Sequence, residues 1–291
     1  MGRAQLIICL FWAVLLSAQR PPNELFPLTP LGAEQKTIID SISISPIETL
    51  STTDLSTLAK GYLQDQRYEE ALECYDELCD RNPNRIDFQF GRGASAGFLL
   101  SGTPSIRSIW YIGHLKSGFE EAVRIQPNSL FTRRALFNIY LGLPRLLGGS
   151  DAKADQQIQA IQLLNPLEAT VAKVFFAMNN KDQTAFDKQA TIAYNDAKNT
   201  LEINDSRYEM AMIASQYFDD TERAINLLNE FLSNASAGDQ YPPVFARYRL
   251  AELTPNNAQE LRSIRSEVAE LEAFMFTYDP LSAYIRKIKT N

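Results

Sequence analysis

The residues able to do chemistry are few and scattered. There is one histidine, His114, and there are three cysteines, Cys9, Cys74 and Cys79. A histidine base or a zinc ligand set needs partners gathered around the imidazole. The stretch Trp110-Tyr111-Ile112-Gly113-His114-Leu115 brings no His, Cys or carboxylate cluster with it, so His114 reads as a surface or packing residue. A Ser-His-Asp triad would have to use that same side chain. Cys74 and Cys79 lie on one expected helix, where five positions at about 100° each leave them roughly 140° apart. They cannot bridge without breaking that helix, and they read as small apolar core residues.

Phosphate chemistry fails on spacing. The run from Gly91 to Ser105 is glycine-rich but holds no Gly-Lys-Ser/Thr, and Gly91, Gly93 and Gly97 miss the dinucleotide pattern. Its small residues read instead as permitting close helix packing and a sharp turn at Ser101-Gly102-Thr103-Pro104. Gly148-Gly149 supplies a second turn, with Ser150 or Asp151 available to cap the helix after it. Carboxylates are plentiful, but Glu69-Glu70, Glu120-Glu121 and Asp219-Asp220 fall at turns or on solvated helix faces, where they serve solubility and helix-end electrostatics. No catalytic residue, cofactor or metal is assigned. Acidic residues outnumber basic ones 35 to 28, a net charge of −7, which argues against a nucleic-acid partner.

The elements that would position any site are helical. Arg3, the apolar run Leu6–Leu16 and small residues before Gln19 form a signal peptide over residues 1–18. Its apolar run is about 16 Å as a helix, short of the roughly 30 Å of a hydrocarbon core, so the mature chain is expected to be exported with no permanent membrane span. Residues 19–50 carry Pro21, Pro22, Pro27, Pro30 and Pro46 and read as a linker arm with one short helix over Glu34–Asp40. Residues 51–291 form the remaining domain, ending in capping helices. Asn204-Asp205-Ser206 and Asn234-Ala235-Ser236 are glycan acceptors only in a eukaryotic secretory host.

A repeat runs through that domain. Ser51, Thr52, Thr53 and Asp54 offer N-caps; Leu55, Leu58 and Tyr62 then share one helical face. After a break at Asp65-Gln66-Arg67 a second helix carries Ala71, Tyr75 and Leu78 and stops near Pro83. The second-helix spacing returns at Leu115, Phe119, Ala122 and Pro127, and at Ala154, Ile158, Ile161 and Pro166. Without the proline it returns at Ala190, Tyr194 and Ala197, and at Ala224, Leu228 and Phe231. Periods drifting toward the mid-thirties mark an array of helical hairpins. A further step reaches Ala258, followed by a last amphipathic helix through Leu261, Ile264, Val268 and Leu271.

Thr52 to Arg85 resembles a tetratricopeptide repeat through Leu58-Ala59, Tyr62, Tyr68, Ala71, Tyr75 and Pro83. Leu55 stands where that family carries tryptophan, and the later copies are degenerate. Pro144 to Ala154 is similar to a Pro and Gly-Gly-Ser loop of exported bacterial members, some of which resemble the T component of TRAP-type transporters. The resemblance implies an all-α, right-handed superhelical solenoid of about five to six hairpins in a bacterial periplasm or envelope. It also implies a non-catalytic scaffold whose first helices line a groove for a protein or peptide partner. Lys60, Gln64, Arg133, Arg134, Tyr140, Gln216 and Tyr217 are the candidate groove residues. The alternative is a transporter-associated component that binds or channels a small solute, for which Tyr140, Arg145 and Tyr217 would line a pocket. A hydrolase is the least favoured reading.

Overall fold

The computed structural model describes residues 31–100, 107–235, 239–241, 243–254, 259, 262–264 and 279–290. Among them every regular element is helical, and the chain divides into two compact units that meet in sequence at Ser150 and Asp151.

In the first unit a leading helix α1 (Ala33–Ile42) and a 3-10 turn (Ile47–Thr49) precede α2 (Thr52–Gln64), α3 (Tyr68–Arg81), α4 (Ile86–Leu100), α5 (Ser108–Ile125) and α6 (Leu130–Gly142). Each helix packs on the one before it. Ser51 starts α2 as the cap cluster predicts: its hydroxyl accepts from the Asp54 amide at 3.1 Å and donates to the Asp54 carboxylate at 2.7 Å. Leu55, Leu58, Ala59, Ala71, Cys74, Tyr75, Leu78 and Cys79 are buried together in the α2–α3 core.

The second unit holds α7 (Asp151–Leu164), α8 (Pro166–Asn179), α9 (Gln183–Asn195), α10 (Asn204–Met212), a π-helical turn (Ile213–Tyr217), α11 (Thr221–Ser233), α12 (Pro243–Leu253) and α13 (Pro280–Thr290). Asn165 caps α8 by accepting from the Leu167 and Glu168 amides, with Pro166 at the first helical position, where its missing N–H costs nothing. Asp182 and Asp220 cap α9 and α11 in the same manner.

The five repeated patterns fall on α3, α5, α7, α9 and α11, alternate helices in chain order. Ala71, Tyr75, Leu78, Ala154, Ile158, Ile161, Ala224, Leu228 and Phe231 are all buried. Ala197 departs from the pattern: it lies past the end of α9 and is exposed. The tight turn before α3 recurs before α9 and α11. Gln66, Lys181 and Asp219 each take a left-handed backbone (φ 64°, 57° and 58°). The next amide then reaches back into the finished helix, Arg67 to the Tyr62 carbonyl at 2.8 Å, Asp182 to Ala177 at 3.0 Å and Asp220 to Ala214 at 2.8 Å.

Gly91 to Leu100 continues α4 and packs closely, as its small residues predict; glycine costs a helix about 1 kcal/mol, and close packing on α5 offsets that. A Cβ on Gly118 would come within 2.7 Å of the Gln89 carbonyl and 2.8 Å of the Gly93 amide, so the two backbones touch. The short helix expected around Glu34–Asp40 extends over Ala33–Ile42 and packs on α2, with Ile39 buried against Gly61. The expected signal peptide, the turn at Ser101–Pro104 and most of the Ala258–Leu271 segment lie outside the described residues; Ile264, within it, is buried.

Candidate functional site

A groove of about 590 Å³ opens on the first unit between α3 and the start of α5. Helical periodicity builds one wall. Glu69, Glu73, Asp76, Glu77 and Asp80 stand at i, i+4, i+7, i+8 and i+11 of α3, which sets them along one face. Arg107, Trp110 and Tyr111 form the opposite wall, Leu72 lies between, and Ile47 closes one end.

The walls are tied to each other. Tyr111 donates its hydroxyl to Glu69 at 2.8 Å and Arg107 reaches the same oxygen at 3.3 Å. Burial and the Glu69 bond push the Tyr111 phenol above its ordinary range. His114 Nδ1 lies 3.1 Å from the Asp76 carboxylate, and the Trp110 ring packs on His114 with centroids 4.0 Å apart. Burial raises the Asp76 carboxyl, and His114 and Arg92 pull it back down. Glu77 accepts from Arg81 Nε at 2.7 Å. Glu73 and Asp80 are exposed and make no ion pair among the described residues. Trp110 is 53% exposed and its neighbour Ile109 59%, unusual for residues that gain about 1.5–3 kcal/mol by burial.

His114 is therefore not the isolated residue its sequence context implied: a carboxylate from α3 meets it across the α3–α5 contact. Among the described residues no cluster of three His, Cys, Asp or Glu is arranged to hold a metal ion. Gly93-Ala94-Ser95-Ala96-Gly97 matches the spacing of a hydrolase nucleophile elbow, a motif that needs an exposed serine on a strand-to-helix turn. Here Ser95 is fully buried inside α4 and donates to the Gly91 carbonyl at 2.8 Å. Cys74 and Cys79 are buried free thiols, which burial pushes up to about 12, far from a reactive thiolate.

The groove residues expected on first helices are dispersed. Lys60 is exposed and Gln64 half-buried on α2. On α6, Arg133 donates to the Pro127 carbonyl, Arg134 is buried with its guanidinium near the Phe137 ring, and Tyr140 is buried with its hydroxyl on Glu120 at 2.6 Å. Arg145 is exposed on a 3-10 turn. In the second unit Gln216 accepts from Ser282 at 2.8 Å and Tyr217 donates to Asp187 at 2.6 Å. The acidic groove is carried by α3 and α5 instead. Its sequence signal, carboxylates recurring at helical spacing beside an unburied tryptophan, is visible only once the two helices are known to be neighbours.

Within each unit the helices pack mainly on chain neighbours, and the first unit carries an acidic, aromatic-walled groove. Among solved structures, the chain is similar to PilW, described as a widely conserved type IV pilus biogenesis factor, at 13% identity and a TM-score of 0.40, covering 79% of this chain and 97% of that one. It is also similar to pilF of Pseudomonas aeruginosa, at 12% identity and a TM-score of 0.40, covering 86% and 99%. Likeness of that size assigns no function. No family model and no curated protein matches the chain.

Proposed function

We propose that the chain is a non-catalytic scaffold that binds a protein partner through the groove between α3 and α5. The supporting observation is the wall pairing itself, a solvent-open furrow with half-exposed Trp110 facing the carboxylate row of α3. Interfaces concentrate binding energy in aromatic anchors of this kind. An open furrow suits a chain segment, whereas a small solute is usually enclosed over most of its surface, so the solute-binding alternative gains nothing from this geometry.

Placing a photoreactive amino acid at position 110, and separately at position 60, tests this in producing cells. Cross-linking at 110 is expected. Cross-linking at 60 alone would put the partner on the first-helix face, and silence at both positions would remove the groove as a partner site. Export rests on the apolar N-terminal run, the bacterial envelope on the family resemblance alone, and both belong to the same proposal. Sequencing of the exported product should begin near Gln19, and a start at Met1 would replace the cleaved signal with an uncleaved anchor.

A further inference from the structure

We infer that the segment received by this groove is a cationic peptide, with arginine or lysine side chains interleaved with apolar ones. This rests on the groove reading above and adds the chemistry of the occupant. The carboxylate row alone would be an ordinary solvated helix face. Two further observations make it a receiving surface. First, of the five carboxylates in the lining, Glu69 is matched by Arg107, Glu77 by Arg81, and Asp76 faces His114, which leaves Glu73 and Asp80 without a cation among the described residues. Glu73 and Asp80, the outer pair of unmatched charges, face solvent on the groove rim. Second, the opposite wall is aromatic, and the indole of Trp110 is backed by His114, which packs on it and whose Nδ1 lies 3.1 Å from the Asp76 carboxylate. A supported indole beside carboxylates attracts guanidinium and ammonium groups through both its ring face and the neighbouring charge.

The dimensions favour a peptide over a small polyamine. From Glu69 to Asp80 the helix rises about 16 Å, which about five extended residues would span. Ile47, Leu72 and Tyr111 supply apolar contacts between the charges, and a polyamine has no side chains to fill them. An anionic occupant would meet the unmatched carboxylates of Glu73 and Asp80.

The test uses the full chain and three probes: a fluorescent nonapeptide (Arg-Leu-Ala)3, its counterpart (Glu-Leu-Ala)3, and spermine as competitor. Fluorescence anisotropy is read at low and moderate salt. The arginine peptide should bind at least about tenfold more tightly than the glutamate peptide, with the preference shrinking as salt screens it. Glu73→Gln with Asp80→Asn, both exposed and so harmless to folding, should weaken binding about fivefold or more. Trp110→Ala should do likewise with an unchanged far-UV circular dichroism spectrum. Equal binding of the two peptides, no binding of either, or no effect of E73Q/D80N overturns the cationic assignment. Displacement by spermine at equal charge concentration overturns the peptide in favour of a polyamine. If cross-linking at position 110 persists while the arginine peptide shows no preference, only the occupant's chemistry is wrong. If both fail, the groove reading fails with it.

Discussion

Arg249 shows what single residues contribute to the second unit. Its guanidinium is buried with Asp279, 3.3 Å away, and also bonds Ser282 at 3.1 Å and Glu252 at 2.8 Å. Asp279 in turn accepts from the buried Tyr208 hydroxyl at 2.8 Å and caps α13 through the Ser282 amide. Burial opposes the charge on Arg249, while Tyr208, Asp279 and Glu252 more than restore it. Removing one partner of such a pair strands the other, which costs about 3–5 kcal/mol. Asp279→Ala should therefore lower chemical-denaturation stability by about that much, with amide exchange rising first in α10, α12 and α13. Replacing both residues, Arg249→Met with Asp279→Leu, should cost clearly less, because no lone charge remains. A second expectation concerns Cys74 and Cys79: with both thiols pushed up to about 12 by burial, mass-mapped alkylation near neutral pH should modify them only in denaturant. Rapid labelling of the native chain would contradict their burial.

Among elements, glycines separate two kinds of helix contact. At Gly118 an added methyl meets backbone of α4; at Gly61 it meets the Ile39 side chain, with no backbone among its nearest atoms. Gly118→Ala should cost about 1–3 kcal/mol by overpacking, and Gly61→Ala markedly less; equal melting temperatures for the two variants would refute the backbone contact. The left-handed turns predict the opposite sign. Lys181 is exposed with φ 57°, a conformation that costs a side chain about 1–2 kcal/mol. Allowing for glycine's greater entropy loss, Lys181→Gly should stabilise by about 0.5–1 kcal/mol, read as a shifted denaturation midpoint. The second helices were legible in sequence because burial forces small and large apolar residues into a fixed spacing, as at Ala154, Ile158 and Ile161. In α4 the small residues signalled close packing but not their partners: Gly91 lies against Tyr75 of α3, while Gly93 and Gly97 lie against Phe119 and Leu115 of α5. The groove was hidden for a related reason: Glu69 and Tyr111 are 42 positions apart, and an acidic helix face looks solvated until its neighbour is placed.

Across the whole chain, the alternation of paired helices and tight turns predicts a far-UV circular dichroism spectrum dominated by helix, and a sheet-type spectrum would contradict the fold. The net charge of −7 adds a long-range attraction to the local one at the groove, so capture of a cationic segment should slow steeply as ionic strength rises. Arg81 carries a practical consequence at this scale. Its guanidinium grips the carbonyl oxygens of Ile47, Glu48 and Leu50 at 3.0, 3.1 and 2.6 Å while its Nε holds Glu77. Anyone shortening the gene for crystallography would be tempted to begin at the neat cap of Ser51. That cut would leave three severed bonds on one cation, bare the Gly61 side of α2 and remove the Ile47 end-stop, so trimming should halt upstream of Ala33.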